Sequence, residues 1–263
     1  MTGQPPSPAG DRRAPGVASL AILTVCALAA LATLLSLGTW QMQRLAWKEG
    51  LIARISARAH GPAEPLPPES AWKTFDAEAE EYRRVRLSGR YDFARQTLVH
   101  ANGPGAGGEV RPGYVVITPM TLPDGAVVLV NRGFIPMEMR GALAQTDARS
   151  PAGATVTGLL RASQKHDPFV PANDPAREEW FTRDIGEIAA ARGLRRVAPF
   201  IVDADAAPGY REGPRGGLTV LSFPNRHLEY AMTWFGLALA LVAVYVAWVW
   251  RWARSRRESR AAP

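Results

Sequence analysis

Residues Val17–Gly38 (VASLAILTVCALAALATLLSLG) form a run of 22 residues without a charged side chain. A second uncharged run, of 20 residues, extends from Ala231 to Trp250 (AMTWFGLALALVAVYVAWVW). Since a helix rises about 1.5 Å per residue, helices of these lengths would be roughly 33 and 30 Å long, which matches the hydrocarbon thickness of a bilayer. Helices buried in a soluble core rarely run so far without a charge. The two runs therefore predict two membrane spans.

The first run does not resemble a cleaved signal peptide. It is longer than the usual apolar region of roughly 7–15 residues, and the exit SLGTWQMQR offers no clean small-x-small cleavage site. We therefore expect an uncleaved anchor. The preceding residues 1–16 are rich in proline and glycine. They predict a disordered tail and not a transit peptide, which favours a bacterial source.

Arginines beside the two runs predict the orientation of the chain. The tail directly after the second run carries Arg251, Arg254, Arg256, Arg257 and Arg260. A smaller basic group within residues 44–58 argues the other way, but long loops are translocated largely regardless of charge. We therefore expect both termini in the cytoplasm and the main domain in the periplasm, across a bacterial inner membrane. On this interpretation the basic tail sets topology and does not bind nucleic acid.

The resulting organisation is multi-pass and has five segments. We expect a cytoplasmic tail (1–16), a first transmembrane helix (17–38), a periplasmic β-rich domain (39–230), a second transmembrane helix (231–250) and a basic cytoplasmic tail (251–263).

Cysteine usage narrows the possible functions. The chain has 263 residues, a formal net charge of +7 and one cysteine, Cys26, which lies inside the first run. The predicted outer domain therefore has no disulfide, and no thiolate for copper, zinc, thiol exchange or covalent haem attachment. A copper chaperone is disfavoured for this reason.

The region between the two runs has the pattern of a β-rich domain. Residues 39–59 show helical spacing and predict a helix that continues out of the membrane, and residues 71–81 allow a short helical patch. Asp124-Gly125 is a strong hairpin turn, and Gly89 predicts a bulge or bend. Strands are expected within residues 82–92, 95–101, 114–136, 153–162, 198–204 and 217–223.

One helix is expected within residues 182–194, with Thr182 or Asp184 as its cap and Gly193 as its stop. The predicted fold class is therefore a membrane protein of α+β type. Two transmembrane helices flank an antiparallel, β-rich and barrel-like extracytoplasmic domain.

Motifs for catalysis are absent from the sequence. The loop Gly103–Gly108 (GPGAGG) is followed by residues that break helices and lead into a strand, so it predicts a turn and not a phosphate site. The chain has no Gly-x-Ser-x-Gly elbow, His-Glu-x-x-His motif or Walker loop. His60, His100 and His166 are scattered without metal-ligand spacing, and we expect them at the surface.

His227 differs because it directly precedes the second run, in NRHLEYAMTWF (225–235). A helix that starts near Asn225 would use Asn225 as its cap. His227, Tyr230 and Trp234 follow at spacings of three and four, so they would share one face. The spacing alone favours an aromatic belt at the membrane interface without any ligand. A haem site also needs an imidazole for iron and flat apolar walls for the macrocycle.

Four stretches resemble, in order, the Surfeit locus protein 1 (Surf1/Shy1) family of cytochrome c oxidase assembly proteins. They are LGTWQMQRLAWKEGLI (37–52), VRLSGRYD (85–92), VLVNRGFIP (128–136) and NRHLEYAMTWFGLALAL (225–241). One departure is Glu178-Glu179, directly before Trp180, where family members more often have asparagine.

The resemblance implies an assembly factor for haem-copper cytochrome c oxidase in respiratory chain biogenesis, a chaperone and not an enzyme. Its cargo would be haem a, received from haem a synthase and placed into subunit I of the oxidase. The family's implicated histidine corresponds to His227, as ligand of the haem iron or a close contact.

Around that histidine we expect apolar walls and partners for the haem propionates. The walls would be Trp40, Tyr230 and Trp234. Arg44 and Arg132 are candidates for the propionates because arginine pairs well with carboxylates. For Arg132, a structural role at the end of a strand is the competing interpretation.

Two rival hypotheses stay open. In one, the chain binds no cofactor and is a membrane scaffold that stabilises nascent subunit I. In the other, it is a membrane-bound hydrolase or haem-modifying enzyme, which would need a nucleophile–base pair that the sequence does not display.

Overall fold

The computed structural model describes residues 17–105, 109–206, 213–219, 221 and 223–261. The proline-rich tail 1–16 and residues 106–108 of the glycine-rich loop lie outside the described residues. The disorder predicted for the tail and the turn predicted for the loop therefore stay predictions. The chain divides into two compact units. One combines the chain up to Leu51 with the chain from Phe223 onward, and the other runs from Ile52 to Ser222.

The helical unit contains most of α1 (Val17–His60) and all of α4 (His227–Ala261). Alanine and leucine dominate the first half of α1, and both have high helix propensity. The helix does not end at the predicted membrane boundary near Gly38, which confirms the predicted helix over residues 39–59. It stops before Gly61 and Pro62, which disfavour further helix.

Along both helices the less exposed positions alternate at spacings of four and three. In α1 they include Leu20, Thr24, Ala27, Leu31, Leu34, Gly38, Gln41, Leu45 and Lys48. In α4, as far as Trp248, they are His227, Ala231, Trp234, Ala238, Leu241, Tyr245 and Trp248. This spacing produces one continuous contact face on each helix, as in coiled coils.

These faces meet in antiparallel orientation. The Thr24 and Tyr245 hydroxyls are 2.6 Å apart near one end of the pair. Near the other end, Gln41 contacts His227. Between them, a Cβ at Gly38 would lie 2.6 Å from the Phe235 ring, so glycine permits a close approach. Small residues at such a crossing let helices pack tightly.

Both helices are long and apolar enough to cross a membrane. The most apolar 18-residue window of α1 has no buried residue, and that of α4 is 6% buried. Large side chains on the outer faces, such as Ile22, Val25 and Leu239, are 65–71% exposed. Apolar surface of this extent is rare on soluble proteins and indicates membrane association.

The second unit is built on a seven-stranded sheet. Its strands are β1 (Glu64–Pro65), β2 (Arg84–Tyr91), β3 (Thr97–Pro104), β4 (Val110–Thr121), β5 (Val127–Pro136), β6 (Gly153–Arg161) and β7 (Val197–Ala204). Two short helices accompany it, α2 (Leu143–Ala148) and α3 (Ile185–Ala191). The 3₁₀ turns are Glu69–Thr74, Phe93–Arg95 and Met137–Ala142.

The sheet is mixed, so the expectation of an antiparallel sheet is wrong in part. The strand order is β1-β2-β6-β7-β5-β4-β3, and the pairs β1–β2 and β5–β7 are parallel. Strand β7 lies between β5 and β6, antiparallel to β6 and parallel to β5. The parallel pair is joined through residues 137–196, which contain α2, β6 and α3. Parallel strands need such a long connection, because a tight turn can join only antiparallel strands.

An additional pairing connects β2 to β4, through Arg90 with Thr121 and Tyr91 with Met120. The run β2-β6-β7-β5-β4 therefore returns to its first strand. Such a circuit is required by a barrel, and the barrel-like shape itself stays a prediction. Gly89 lies at this junction. The pairing of β2 with β6 continues through it without a bulge, and its lack of a Cβ admits the Thr121 carbonyl, 2.5 Å from an ideal Cβ.

The hydrophobic core lies on both faces of the sheet. On one face, a cluster around Val85, Met120 and Phe200 is covered by Trp72 and Phe75. On the other, Ile185 and Ile188 of α3 pack with Trp180 against a second set of strand residues, Val99, Ile117, Leu129 and Ile201.

Several local predictions are confirmed. Asp124-Gly125 forms the turn between β4 and β5, with Gly125 at φ +83°. Asp184 caps α3, since its carboxylate accepts from the Glu187 N–H, and Gly193 follows the helix with φ +60°. The glycine-rich sequence is followed by strand β4, which pairs antiparallel with β3, so a strand and not a helix comes after it, as predicted.

One local prediction is confirmed in part and another is wrong. The helical patch allowed within 71–81 is the end of a 3₁₀ helix, Glu69–Thr74, and irregular turns follow it. Trp72 and Phe75 pack here against the Phe200 ring at centroid distances of 5.9 and 4.8 Å. Within the described residues of 217–223 there is no strand. Strands β4 and β7 already flank β5 as far as Asn131, which leaves only an isolated bridge between Phe134 and Arg215.

We expect Gly89→Ala to lower the free energy of unfolding by about 1–3 kcal/mol, because its Cβ would collide with backbone. Gly153→Ala is the matched control, since Gly153 pairs with the adjacent Arg90 and an ideal Cβ there meets no atom within 4 Å. Urea unfolding in detergent, followed by near-ultraviolet circular dichroism, measures both. Equal midpoints for the two variants would contradict the tight β2–β4 junction.

Candidate functional site

His227 is the first residue of α4 and is half-buried. Its backbone N–H lies 3.5 Å from the Asn225 side-chain oxygen, a long contact at the helix start. The first regular helical hydrogen bond follows three residues later, where Tyr230 N–H donates to the Arg226 carbonyl at 3.2 Å. The helix therefore begins two residues after Asn225, and the imidazole is fixed to a regular backbone.

The imidazole contacts a side chain from α1. His227 Nδ1 lies 2.7 Å from Gln41 Oε1. An amide oxygen only accepts hydrogen bonds, so this geometry places the imidazole proton on Nδ1. In a neutral imidazole Nε2 then carries a free lone pair, which is the group that binds metals.

A second polar contact supports this end of the helix pair. Lys48 Nζ donates a short hydrogen bond to the Pro224 carbonyl, three residues before His227. Lys48 lies two helical turns after Gln41 on the same face of α1. The chain is therefore tied to α1 just before α4 begins, in addition to the contact of the imidazole itself.

The other residues predicted in this unit differ in exposure. Trp234 is half-buried on the contact face of α4. Trp40 and Tyr230 are each 53% exposed. Arg44 is exposed, and its guanidinium carbon lies 4.0 Å from the centre of the Trp47 ring. Among the described residues no carboxylate pairs with Arg44.

Arg132 lies in the sheet unit, where it is already paired. Its side chain is 9% exposed and Nη1 donates to Asp147 at 2.7 Å, a carboxylate that is 4% exposed. Gln96 donates to the other Asp147 oxygen at 2.9 Å. The guanidinium also lies over the rings of Tyr91 and Phe93, at 5.5 and 4.8 Å. This arrangement supports the structural interpretation of Arg132.

Burial raises the pKa of Tyr91 to about 12, although the positive charge of Arg132 opposes the rise. The phenol therefore stays neutral well above physiological pH. Because a neutral phenol carries no negative charge, the counter-ion of Arg132 is the Asp147 carboxylate.

The sheet unit also contains a cavity of about 660 Å³. On its wall Asp203 accepts hydrogen bonds from Asn131 at 2.8 Å, Arg183 at 3.1 Å and Thr219 at 2.9 Å. His100 lines the same cavity and stacks on Phe181, with ring centres 5.1 Å apart. His100 is thus half-buried within β3 and not a surface residue at a strand end, and the Asp203 carboxylate is satisfied within the chain.

Sequence reasoning did not single out Gln41, Lys48, Asp147 or Asp203. For Gln41 and Lys48 a signal exists, because they continue the four-and-three spacing of the contact face of α1. No local pattern identifies Asp147 or Asp203, since their partners come from distant segments. Within the described residues no group of three or more His, Cys, Asp or Glu side chains is placed to hold a metal ion.

We expect Arg132→Ala to lower the free energy of unfolding by about 3–5 kcal/mol, since the buried Asp147 loses its counter-ion. The double variant Arg132→Met/Asp147→Leu should recover most of this loss. Arg95→Ala is the control, because its pair with Asp92 is more exposed and such pairs contribute about 1 kcal/mol or less. Urea titrations measure all three, and a loss for Arg132→Ala no larger than that of the control would refute the buried pair.

Comparison with known proteins places the chain in a family. The SURF1 family model matches residues 28–239, which include Gln41, His227 and the whole sheet unit. Surfeit locus protein 1 of Mus musculus is 33% identical over 223 residues, which cover 80% of this chain and 70% of the mouse protein.

The relative from Homo sapiens is 32% identical over 220 residues, with coverage of 79% and 71%. That from Takifugu rubripes is 32% identical over 223 residues, with coverage of 80% and 89%. The family match begins within α1, continues through the whole sheet unit and ends within α4, and the chain belongs to the SURF1 family.

Proposed function

We propose that this chain is an assembly factor for haem-copper cytochrome c oxidase, which binds haem a as cargo and assists its insertion into subunit I. Family membership and the oxidase-assembly role that the resemblance implies support the proposal. The observation that carries the haem part is the contact of His227 Nδ1 with Gln41, at 2.7 Å, because it leaves Nε2 as a free ligand nitrogen.

The residues near His227 fit such a cargo. Haem iron already has four macrocycle nitrogens and takes a neutral imidazole as an axial ligand. The exposed rings of Trp40 and Tyr230, together with Trp234, supply flat apolar surface for a porphyrin. Arg44 lacks a carboxylate partner among the described residues and can pair with a haem propionate. Arg132, engaged by Asp147, is not needed for this role.

The proposed setting is the bacterial inner membrane. α1 and α4 cross the bilayer, both termini are cytoplasmic, and the sheet unit is periplasmic. His227 then lies at the start of its span, near the outer headgroups, where haem a synthase delivers the cargo and nascent subunit I receives it. The chain acts as a carrier in this scheme and not as an enzyme.

His227→Ala should reduce the haem a recovered with the purified protein by at least about tenfold, since loss of even an outer-shell partner of a metal ligand costs roughly 10–100-fold in affinity. The chain is co-expressed with haem a synthase, and the Soret band and pyridine haemochrome spectra give the haem per protein. His166→Ala is the control, as His166 is an exposed histidine of the sheet unit.

Three outcomes are informative. Stoichiometric haem a in the wild type and in His166→Ala, with loss in His227→Ala, supports the proposal. Equal haem content in all three removes the ligand role of His227. A wild type that never carries haem a but still copurifies with subunit I favours the cofactor-free scaffold.

The proposed topology predicts a signal from each of two reporter fusions, placed on opposite sides of the membrane. Alkaline phosphatase joined after Gly61 should be active, because that position would be periplasmic, where the enzyme folds. Green fluorescent protein joined after Pro263 should fluoresce, because it folds in the cytoplasm. Exchange of the reporters should abolish both signals. An inactive phosphatase after Gly61 would invert the proposed orientation and place His227 on the cytoplasmic side.

A further inference from the structure

The contact between Gln41 and His227 joins residues 186 positions apart in the chain, across two helices. Both side chains are half-buried and lie on the contact faces of α1 and α4. Among the described residues, Gln41 is the one side chain bonded to the ring of His227, as Asn225 contacts only its backbone. The orientation of the imidazole therefore depends on Gln41.

The chemistry of the two groups determines which of them donates the hydrogen bond. Gln41 Oε1 has lone pairs and no proton, so Nδ1 must donate. The imidazole is then held as the tautomer with its proton on Nδ1, and its rotation about χ2 is restricted. Histidine ligands of metals almost always donate their second nitrogen in this way to a carboxylate, carbonyl or water, which fixes ring orientation and raises ligand basicity.

We propose that Gln41 is the positioning residue for His227. It presents Nε2 to the haem iron and sets the electron donation of the imidazole through the Nδ1 hydrogen bond. The inference rests on the proposed function and adds to it a residue on the other helix. Because Gln41 belongs to α1, the ligand is correctly oriented only when α1 and α4 are paired.

Other groups in this region do not supply the same contact. Lys48 donates to the Pro224 carbonyl and has no acceptor to offer an N–H. Arg44 lies over the Trp47 ring and is also only a donor. Gln43 has the same side chain as Gln41 but is exposed, away from the contact face.

The test uses the full chain purified with haem a after co-expression with haem a synthase. Gln41→Leu removes the acceptor, Gln41→Glu replaces it with a stronger one of the same length, and Gln43→Leu is the matched control. The readouts are haem a content and the reduction potential of the bound haem, titrated spectroscopically. The potential distinguishes an effect on the ligand from an effect on folding.

The two Gln41 variants should change the reduction potential of the haem in opposite directions. Gln41→Leu should lose about 10–100-fold in haem affinity and raise the reduction potential of any haem retained, because the imidazole becomes a weaker donor. Gln41→Glu should bind haem and lower the potential, because a carboxylate gives the ring more imidazolate character and stabilises ferric iron. Gln43→Leu should match the wild type in both.

An unchanged potential in Gln41→Glu would overturn the proposal, even if Gln41→Leu lost haem, because Gln41 would then only pack the helices. His227→Ala, measured in parallel, separates this failure from failure of the proposed function. If His227→Ala loses haem while both Gln41 variants behave as the wild type, the ligand role stands and the positioning role falls. If His227→Ala retains its haem at an unchanged potential, the ligand role falls and the positioning role with it.

Discussion

The antiparallel contact between α1 and α4 is the interaction on which the proposed site depends. It joins segments that the chain separates by the entire sheet unit. Its register is set at two points, Thr24 with Tyr245 and Gln41 with His227. These points lie 17 residues apart in α1 (41 − 24) and 18 apart in α4 (245 − 227). Because the two spacings differ by only one residue, both bonds form in a single alignment of the two helices.

The composition of the contact suits a bilayer. Lipid tails are as apolar as leucine, so burial of apolar surface gives little association between spans, and close packing and hydrogen bonds must supply it. Gly38, Ala231 and Ala238 allow the backbones to approach, and two of these positions, Ala231 and Ala238, are almost completely buried. The imidazole of His227 is thus oriented by a helix pair whose close approach comes from residues without functional groups.

The sequence predicted what depends on local pattern. The apolar character of both helices, the cap at Asp184 and the turn at Asp124-Gly125 follow from neighbouring residues, and the structure contains them. The length of α4 was not predicted, because the helix continues to Ala261, through most of the expected tail. The contact of Gln41 with His227 was beyond reach, because it requires the register of two helices far apart in the chain. The same holds for the insertion of β7 between β5 and β6, which turns an expected antiparallel sheet into a mixed one.

Arg132 shows most clearly what the sequence could not predict, because a motif alone does not reveal whether an arginine already has an ion-pair partner. Its place in NRGF made it a candidate for a propionate, and the structure gives it a buried partner, Asp147, from α2. If Arg132 left Asp147 to pair with a propionate, the buried carboxylate would lose its counter-ion, and nothing would compensate the cost of its desolvation. Arg44 carries no such penalty, because its guanidinium is exposed and rests on an aromatic ring.

This contrast bears on how a carrier works. A protein that keeps haem permanently encloses it, whereas a carrier has to bind the macrocycle and then give it up. The contacts proposed around His227 are of two kinds, one held in place by the protein and the others exposed. The imidazole that is proposed to bind the iron is held by its hydrogen bond to Gln41, while Trp40 and Tyr230 are about half exposed, at 53% each. A porphyrin on these surfaces would keep one edge accessible to an acceptor. If the orientation of the ring depends on Gln41 of the opposite helix, as proposed, a partner that shifts α1 against α4 would weaken the iron–imidazole bond and favour release of the cargo.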